Sequence, residues 1–229
     1  MEQMQILLAI LVLLPFVSAL LLALCGSDRM RRLIVYGSAG VLMISAVAFA
    51  VCFFSGENLQ LRFLQSGGII DHTMLALEAG FAVLITVLSI KYRRYYVAVL
   101  SIVQTVLTFV YELGGYKPAV QPYNLFADQL TVIMVLIIAV VGTLITVYAV
   151  GYMRDYHNHH KEYTDRRRFF FAMLYVFLGA MFGLVLSNSL LWLYFFWEIT
   201  SLVSFLLIGY TRTKEAQARL MGGVPPLFL

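Results

Sequence analysis

Residues 189–210 read Ser-Leu-Leu-Trp-Leu-Tyr-Phe-Phe-Trp-Glu-Ile-Thr-Ser-Leu-Val-Ser-Phe-Leu-Leu-Ile-Gly-Tyr, and this stretch decides the fold. As a helix it rises roughly 33 Å, enough to cross the hydrocarbon core of a bilayer. Glu198 then lies near the membrane midplane. An ionisable group there costs about 2.5 to 3.5 kcal/mol on insertion scales, and such groups usually face a bundle interior or a water-filled path. A carboxyl that exchanges a proton in a dry site is what a proton relay needs; the alternative is a Glu hydrogen-bonded to a neighbouring helix for packing alone. Tyr194 and Ser201 stand four before and three after it, so their hydroxyls share its face and are candidates to hold the carboxyl or a water beside it. Trp197 is too deep for an interfacial belt and is expected to pack beside the carboxyl.

The rest of the chain is built of the same material. Of its 229 residues, 62% are hydrophobic and 12% charged, against about 25% charged in soluble domains, and the mean hydropathy is +0.88. Residues 4–25, 33–54, 73–90, 95–111, 129–152, 169–187 and 189–210 are long enough to span, which makes the fold class an all-α polytopic membrane protein of seven helices. The net charge of +4 does not point to nucleic acid, because the basic residues sit between spans. With the N-terminus outside, the inner side receives Arg29, Arg31 and Arg32, then Lys91, Arg93 and Arg94, then Arg154, Lys161 and Arg166 to Arg168, and last Arg212, Lys214 and Arg219. Only Arg62 and Lys117 stay outside, so the positive-inside rule predicts an N-out, C-in topology. No basic leader or cleavage site precedes the first run, which reads as a retained helix.

Several shorter features carry expectations. Pro15 should kink the first helix. In the outer loop 55–72, the alternation Leu59, Leu61, Phe63 reads as a short strand or hairpin arm, closed by Gly67 and Gly68. Glu78 lies inside the third span and is open to a functional or a structural reading; Glu112, ending the fourth, reads as an interfacial residue. Asp128, after a loop with Pro118 and Pro122, stands where a carboxylate caps the fifth helix. His157, His159 and His160 fall in the inner loop that follows, but without ordered ligand spacing, and no metal site is predicted. Arg166 to Arg168 read as an anchor facing lipid headgroups or a partner subunit. Gly179 and Gly183 form a small-xxx-small pattern that admits close helix approach. Cys25 and Cys52 belong to opposite membrane faces, too far apart to bridge.

The runs Phe126-Ala-Asp-Gln-Leu-Thr, Val147-Tyr-Ala-Val-Gly-Tyr-Met-Arg154, Arg168-Phe-Phe-Phe and Leu190 to Tyr210 together resemble one family, in its order and spacing. It is the antiporter-like membrane subunits shared by respiratory complex I, Mrp-type cation/proton antiporters and energy-converting hydrogenases. The resemblance implies that Glu198 is the family's intramembrane glutamate in a proton path, and that Asp128 matches its acidic residue at an earlier helix start. The pair of helices over 73–111, with its Ser89-Ile-Lys-Tyr-Arg-Arg-Tyr-Tyr turn, most resembles the large membrane subunit of an Ech-type hydrogenase. On this reading residues 1–112 form a four-helix region, 113–210 begin the translocation domain and 211–229 are a truncated cytoplasmic tail.

Family members continue for several hundred residues with intramembrane lysines, whereas Lys91, Lys117, Lys161 and Lys214 all lie between or beyond spans here. The sequence therefore predicts a fragment that does not pump unaided. The expected function is a proton-translocating (alternatively sodium-translocating) subunit of a hydrogenase or complex I-like assembly in a prokaryotic inner membrane. The chain itself carries no redox site or cofactor; nickel–iron and iron–sulfur centres are expected only in partner subunits. Its partners are other membrane subunits, peripheral redox subunits and the bilayer, with no nucleic acid. The alternatives are an Mrp-type antiporter subunit, a non-transporting scaffold or remnant, and a seven-span sensor; no lysine in the last span offers a retinal site.

Overall fold

A computed structural model describes residues 2–56, 61–65, 69–91, 93, 95–113, 123–159 and 165–210; of 2, 61–65, 69–71, 112 and 113 only the backbone is described. Seven helices follow in order: α1 (Glu2–Leu24), α2 (Asp28–Phe54), α3 (Ile69–Lys91), α4 (Tyr95–Leu113), α5 (Gln129–His159), α6 (Arg167–Leu186) and α7 (Leu190–Ile208). Six are long and apolar enough to cross a membrane, and the seventh, α4, has a shorter apolar stretch. The fold class is thus the all-α polytopic one. Large apolar side chains such as Leu20, Ile44, Leu100 and Ile137 are exposed along these helices, a surface that lipid accepts and water does not.

Packing divides the helices into two compact units that cut across chain order. In the first, α1 packs on α2 and α6, and α5 packs on the same two helices, closing a four-helix arrangement. The connection from α1 to α2 is only Cys25 to Ser27, short enough to force antiparallel neighbours. Leu11, Leu42, Phe49, Phe171 and Phe182 fill the interior. The helices approach over glycine. A Cβ built on Gly179 of α6 would lie 2.9 to 3.1 Å from the ring of Phe16 in α1, and one on Gly142 of α5 would strike Leu178. Lipid supplies no hydrophobic drive for helix association, so such close packing and buried polar links must hold the unit together. One such link crosses from α6 to α2, where Tyr175 Oη lies 2.6 Å from Ser38 Oγ.

At one end of this unit the charges pair. Arg31, buried in the first turn of α2, donates to Asp28 at 2.6 Å. Arg167 at the start of α6 reaches the same Asp28 at 3.3 Å and grips Asp165 at 2.7 Å. Arg31 also lies over the Phe171 ring at 5.9 Å. These arginines, expected as topology anchors, are equally structural ties between helices.

The second unit holds α3, α4, part of a two-stranded sheet and α7 as far as Phe195. The turn between α3 and α4 passes through Arg93 at φ 56, a left-handed conformation unusual outside glycine. Ser101 of α4 donates to the carbonyl of Ala82 in α3 at 3.4 Å. Strand β1 (Leu61–Gln65) appears where alternation predicts a strand, and its partner is β2 (Tyr123–Ala127), in a stretch whose prolines predict only a loop. Pairing backbone groups across two loops is not visible as periodicity in either one. Asn188, just before α7, donates its backbone N–H to Asn124 at 2.8 Å and its side chain to Tyr123 at 3.0 Å.

Other expectations need adjustment. The segment 154–159 is not a loop: α5 continues to His159, because Arg154, Asp155 and the residues after them sustain the helical ladder past the apolar run. Pro15 lies within α1, which runs unbroken from Glu2 to Leu24. Cys25 and Cys52 are free thiols. Gly67, Gly68, Pro118, Pro122, His160 and the tail 211–229 lie outside the described residues.

Candidate functional site

The helix that carries Glu198 starts from a fixed point. Ser189 accepts the first α-helical bond, from Leu193 N–H at 3.0 Å, directly after the Asn188 anchor to β2. It ends at Gly209 and Tyr210, whose N–H groups close on Phe205 and Leu207. Between these ends, Glu198 is the ninth of nineteen residues and only 8% exposed. Leu191, Phe196, Ile199 and Val203 are the other buried residues of the helix. Phe196 is held by α6: a Cβ on Gly183 would run into its ring. The small-xxx-small motif thus seats α6 against α1 through Gly179 and against α7 through Gly183.

The flanking residues separate. Tyr194 is half-buried, one turn before the carboxyl, whereas Ser201 is exposed on the flank shared with Leu193, Trp197 and Ser204. Trp197 is 58% exposed and faces outward, not into the interior where it was expected. The hydroxyls of Thr200 and Ser204 are satisfied within the helix, donating to Trp197 and Thr200 carbonyls at 2.8 Å. The structure therefore keeps Glu198 and Tyr194 toward the protein and turns Ser201 away.

Asp128 is a helix cap. Its Oδ1 accepts from both the backbone N–H and the hydroxyl of Thr131, each at 2.8 Å. These two donors hold its carboxyl below the usual carboxylate range. Glu78 is the tenth residue of α3, deeper than a residue near the span's edge, and is 3% exposed. Glu112 falls in the last turn of α4. Among the described residues no group of three or more His, Cys, Asp and Glu gathers to hold a metal ion.

One cluster escaped the sequence reading. Tyr210 Oη lies 3.3 Å from His157 Nε2, and that nitrogen lies 3.7 Å from Asp165. Its three residues come from the end of α5, the segment before α6 and the segment after α7, so no local pattern joins them. The only signal was their common place on the basic side of the predicted topology.

The chain is a polytopic helical membrane protein with a carboxylate buried midway along α7. A family profile described as NADH-ubiquinone oxidoreductase (complex I), chain 5 N-terminus, matches residues 121–170, from before β2 to the start of α6. The Na(+)/H(+) antiporter subunit A1 of Staphylococcus haemolyticus is 34% identical over 122 residues, covering 53% of this chain and 14% of its own length. The subunit A1 of Staphylococcus aureus strain Newman is 28% identical over 161 residues, covering 63% of this chain and 19% of its own. The chain thus spans less than a fifth of the length of these curated relatives. Over these stretches it is similar to antiporter-like membrane subunits, and it is a multi-pass membrane protein.

Proposed function

We propose that this chain serves cation/proton translocation, with Glu198 as the group that binds and releases the proton. The observation that carries this is the burial of Glu198 at the centre of α7. A carboxyl at that depth costs more than an apolar residue would, so its presence is accounted for by use rather than by packing. Tyr194, half-buried one turn away, is the supporting hydroxyl. Ser201 contributes where a further helix covers the outward flank of α7. Glu78 is a second buried carboxyl for the path, and Asp128 fixes the start of α5 as its cap. With an N-out, C-in orientation, protons enter from the basic side and charge movement in neighbouring helices biases their release.

The subunit A1 relatives favour exchange of a cation against protons, as in an Mrp-type antiporter. The hydrogenase branch places the same carboxyl under a partner's redox reaction, with nickel–iron and iron–sulfur centres in peripheral subunits. Sodium-dependent transport separates the first from hydrogen-dependent transport in the second. For either branch, Glu198→Gln in the assembled complex should lower coupled transport in inverted vesicles by about a hundredfold, the scale of a lost proton-transfer group. Transport at the wild-type rate in that variant would overturn the assignment.

A further inference from the structure

The cluster at the basic end of the first unit has defined hydrogen-bond directions. His157 Nδ1 lies 3.0 Å from the Met153 carbonyl, which can only accept, so Nδ1 carries a hydrogen. The remaining nitrogen, Nε2, faces Tyr210 Oη at 3.3 Å and Asp165 Oδ1 at 3.7 Å. In the neutral ring Nε2 is an acceptor, and the Tyr210 phenol donates to it. In the imidazolium Nε2 becomes a donor, and the same phenol must accept or yield to Asp165.

We propose that His157 is a proton-binding site whose occupancy reverses the hydrogen bond holding the end of the Glu198 helix. Imidazole is the side chain that ordinarily changes charge within the range of cellular pH. Its surroundings fit the task. The His157 side chain is 12% exposed, enough to meet solvent protons yet held in place. The Asp165 carboxylate, facing it from the segment before α6, is kept ionised by Arg167, whose guanidinium holds it well below the usual carboxylate range. Tyr210 keeps its phenolic proton, since burial and the nearby Asp165 push it up to about 12. Arg166 binds the Tyr210 carbonyl at 3.3 Å and stacks over Phe169, so its charge is turned to the backbone of the latch. Tyr156 of α5 packs edge-on to both rings, 5.5 Å from His157 and 6.4 Å from Tyr210. Among the described residues these are the titratable and charged groups around the site, with Arg167 shared further to Asp28.

The consequence is a change in what ties α5 to the end of α7. At higher pH the tie is a neutral phenol-to-imidazole bond. After proton uptake it is a charge-assisted contact of the imidazolium with Tyr210 Oη and Asp165, which is the stronger kind. Its bearing on transport rests on the reading of Glu198 above, but the proton site does not.

The test is nuclear magnetic resonance on the full chain in detergent or nanodiscs, with ¹³Cζ-labelled tyrosine and ¹⁵N-labelled histidine. The Tyr210 signal is assigned by its loss in Tyr210→Phe and the His157 signal by its loss in His157→Gln. Between about pH 5 and 8, both signals should move with one common midpoint. The Tyr210 movement should vanish in His157→Gln and persist in His159→Gln and Glu198→Gln. Persistence in Glu198→Gln keeps this result separate from the transport assignment. A Tyr210 signal that stays flat in the wild-type chain, or that moves equally in His157→Gln, overturns the proposal.

Discussion

Gly183 of α6 lies directly against the ring of Phe196, two residues before Glu198 on α7. The glycine lets the ring sit where any side chain would displace it, so the depth of the buried carboxyl depends on a missing Cβ on another helix. Gly183→Ala should therefore cost about 1 to 3 kcal/mol by overpacking. Phe196→Leu in the same chain should recover part of that loss, because the shorter side chain retreats from the new methyl. Thermal unfolding of the purified single and double variants checks this. Equal stability of Gly183→Ala and wild type would mean that the contact does not set the position of α7.

The capping of α5 by Asp128 predicts a pH-dependent contribution. Asp128→Ala should lose about 0.5 to 2 kcal/mol at neutral pH, and Asp128→Asn much less, because the amide oxygen still accepts from Thr131. The folded carboxyl titrates below its unfolded value, so the contribution is full above the ordinary aspartate range and fades as pH falls through the lowered value. The stability gap between wild type and Asp128→Ala should stay constant from neutral pH to about pH 5 and shrink below about pH 4. Denaturant unfolding at several pH values measures it. A gap that widened in acid would contradict the cap.

Much of this was legible because lipid imposes a simple code. A spanning helix must be apolar over most of its length, so the seven helices and the place of Glu198 midway along α7 follow from counting residues. The Asp128 cap was legible too, since a capping bond reaches only three residues. What escaped was set by packing between distant segments. Spacing placed Ser201 about 60° from Glu198 on the helix, but the buried sector of α7 stops short of it. Trp197 faces outward for the same reason. Strand β2, just before α5, and the His157 cluster, at its far end, each depend on segments distant in sequence coming together, which no periodicity records. The end of α5 was misplaced because polarity marks where a helix leaves the membrane, not where it stops.

Tyr175 and Ser38 test how the buried polar link works. Ser38 Oγ lies 2.6 Å from the Ile34 carbonyl and 2.6 Å from Tyr175 Oη, and one direction of donation satisfies both distances. Tyr175 donates to Ser38, and Ser38 donates to Ile34. The phenol also has a fallback, the Val35 carbonyl at 3.1 Å. Ser38→Ala should therefore be mild, because the phenol turns to Val35 and is not left without an acceptor. Tyr175→Phe should cost somewhat more, since it removes the only group on α6 in this link. Once the phenol is gone, Ser38 bonds only to its own helix, so adding Ser38→Ala should have little further effect. The double-mutant cycle should give a coupling of about 0.6 kcal/mol, with an upper end near 1.7 kcal/mol, as for other hydrogen bonds between membrane helices. Strict additivity of the two substitutions in equilibrium unfolding would show that the link contributes nothing as a pair.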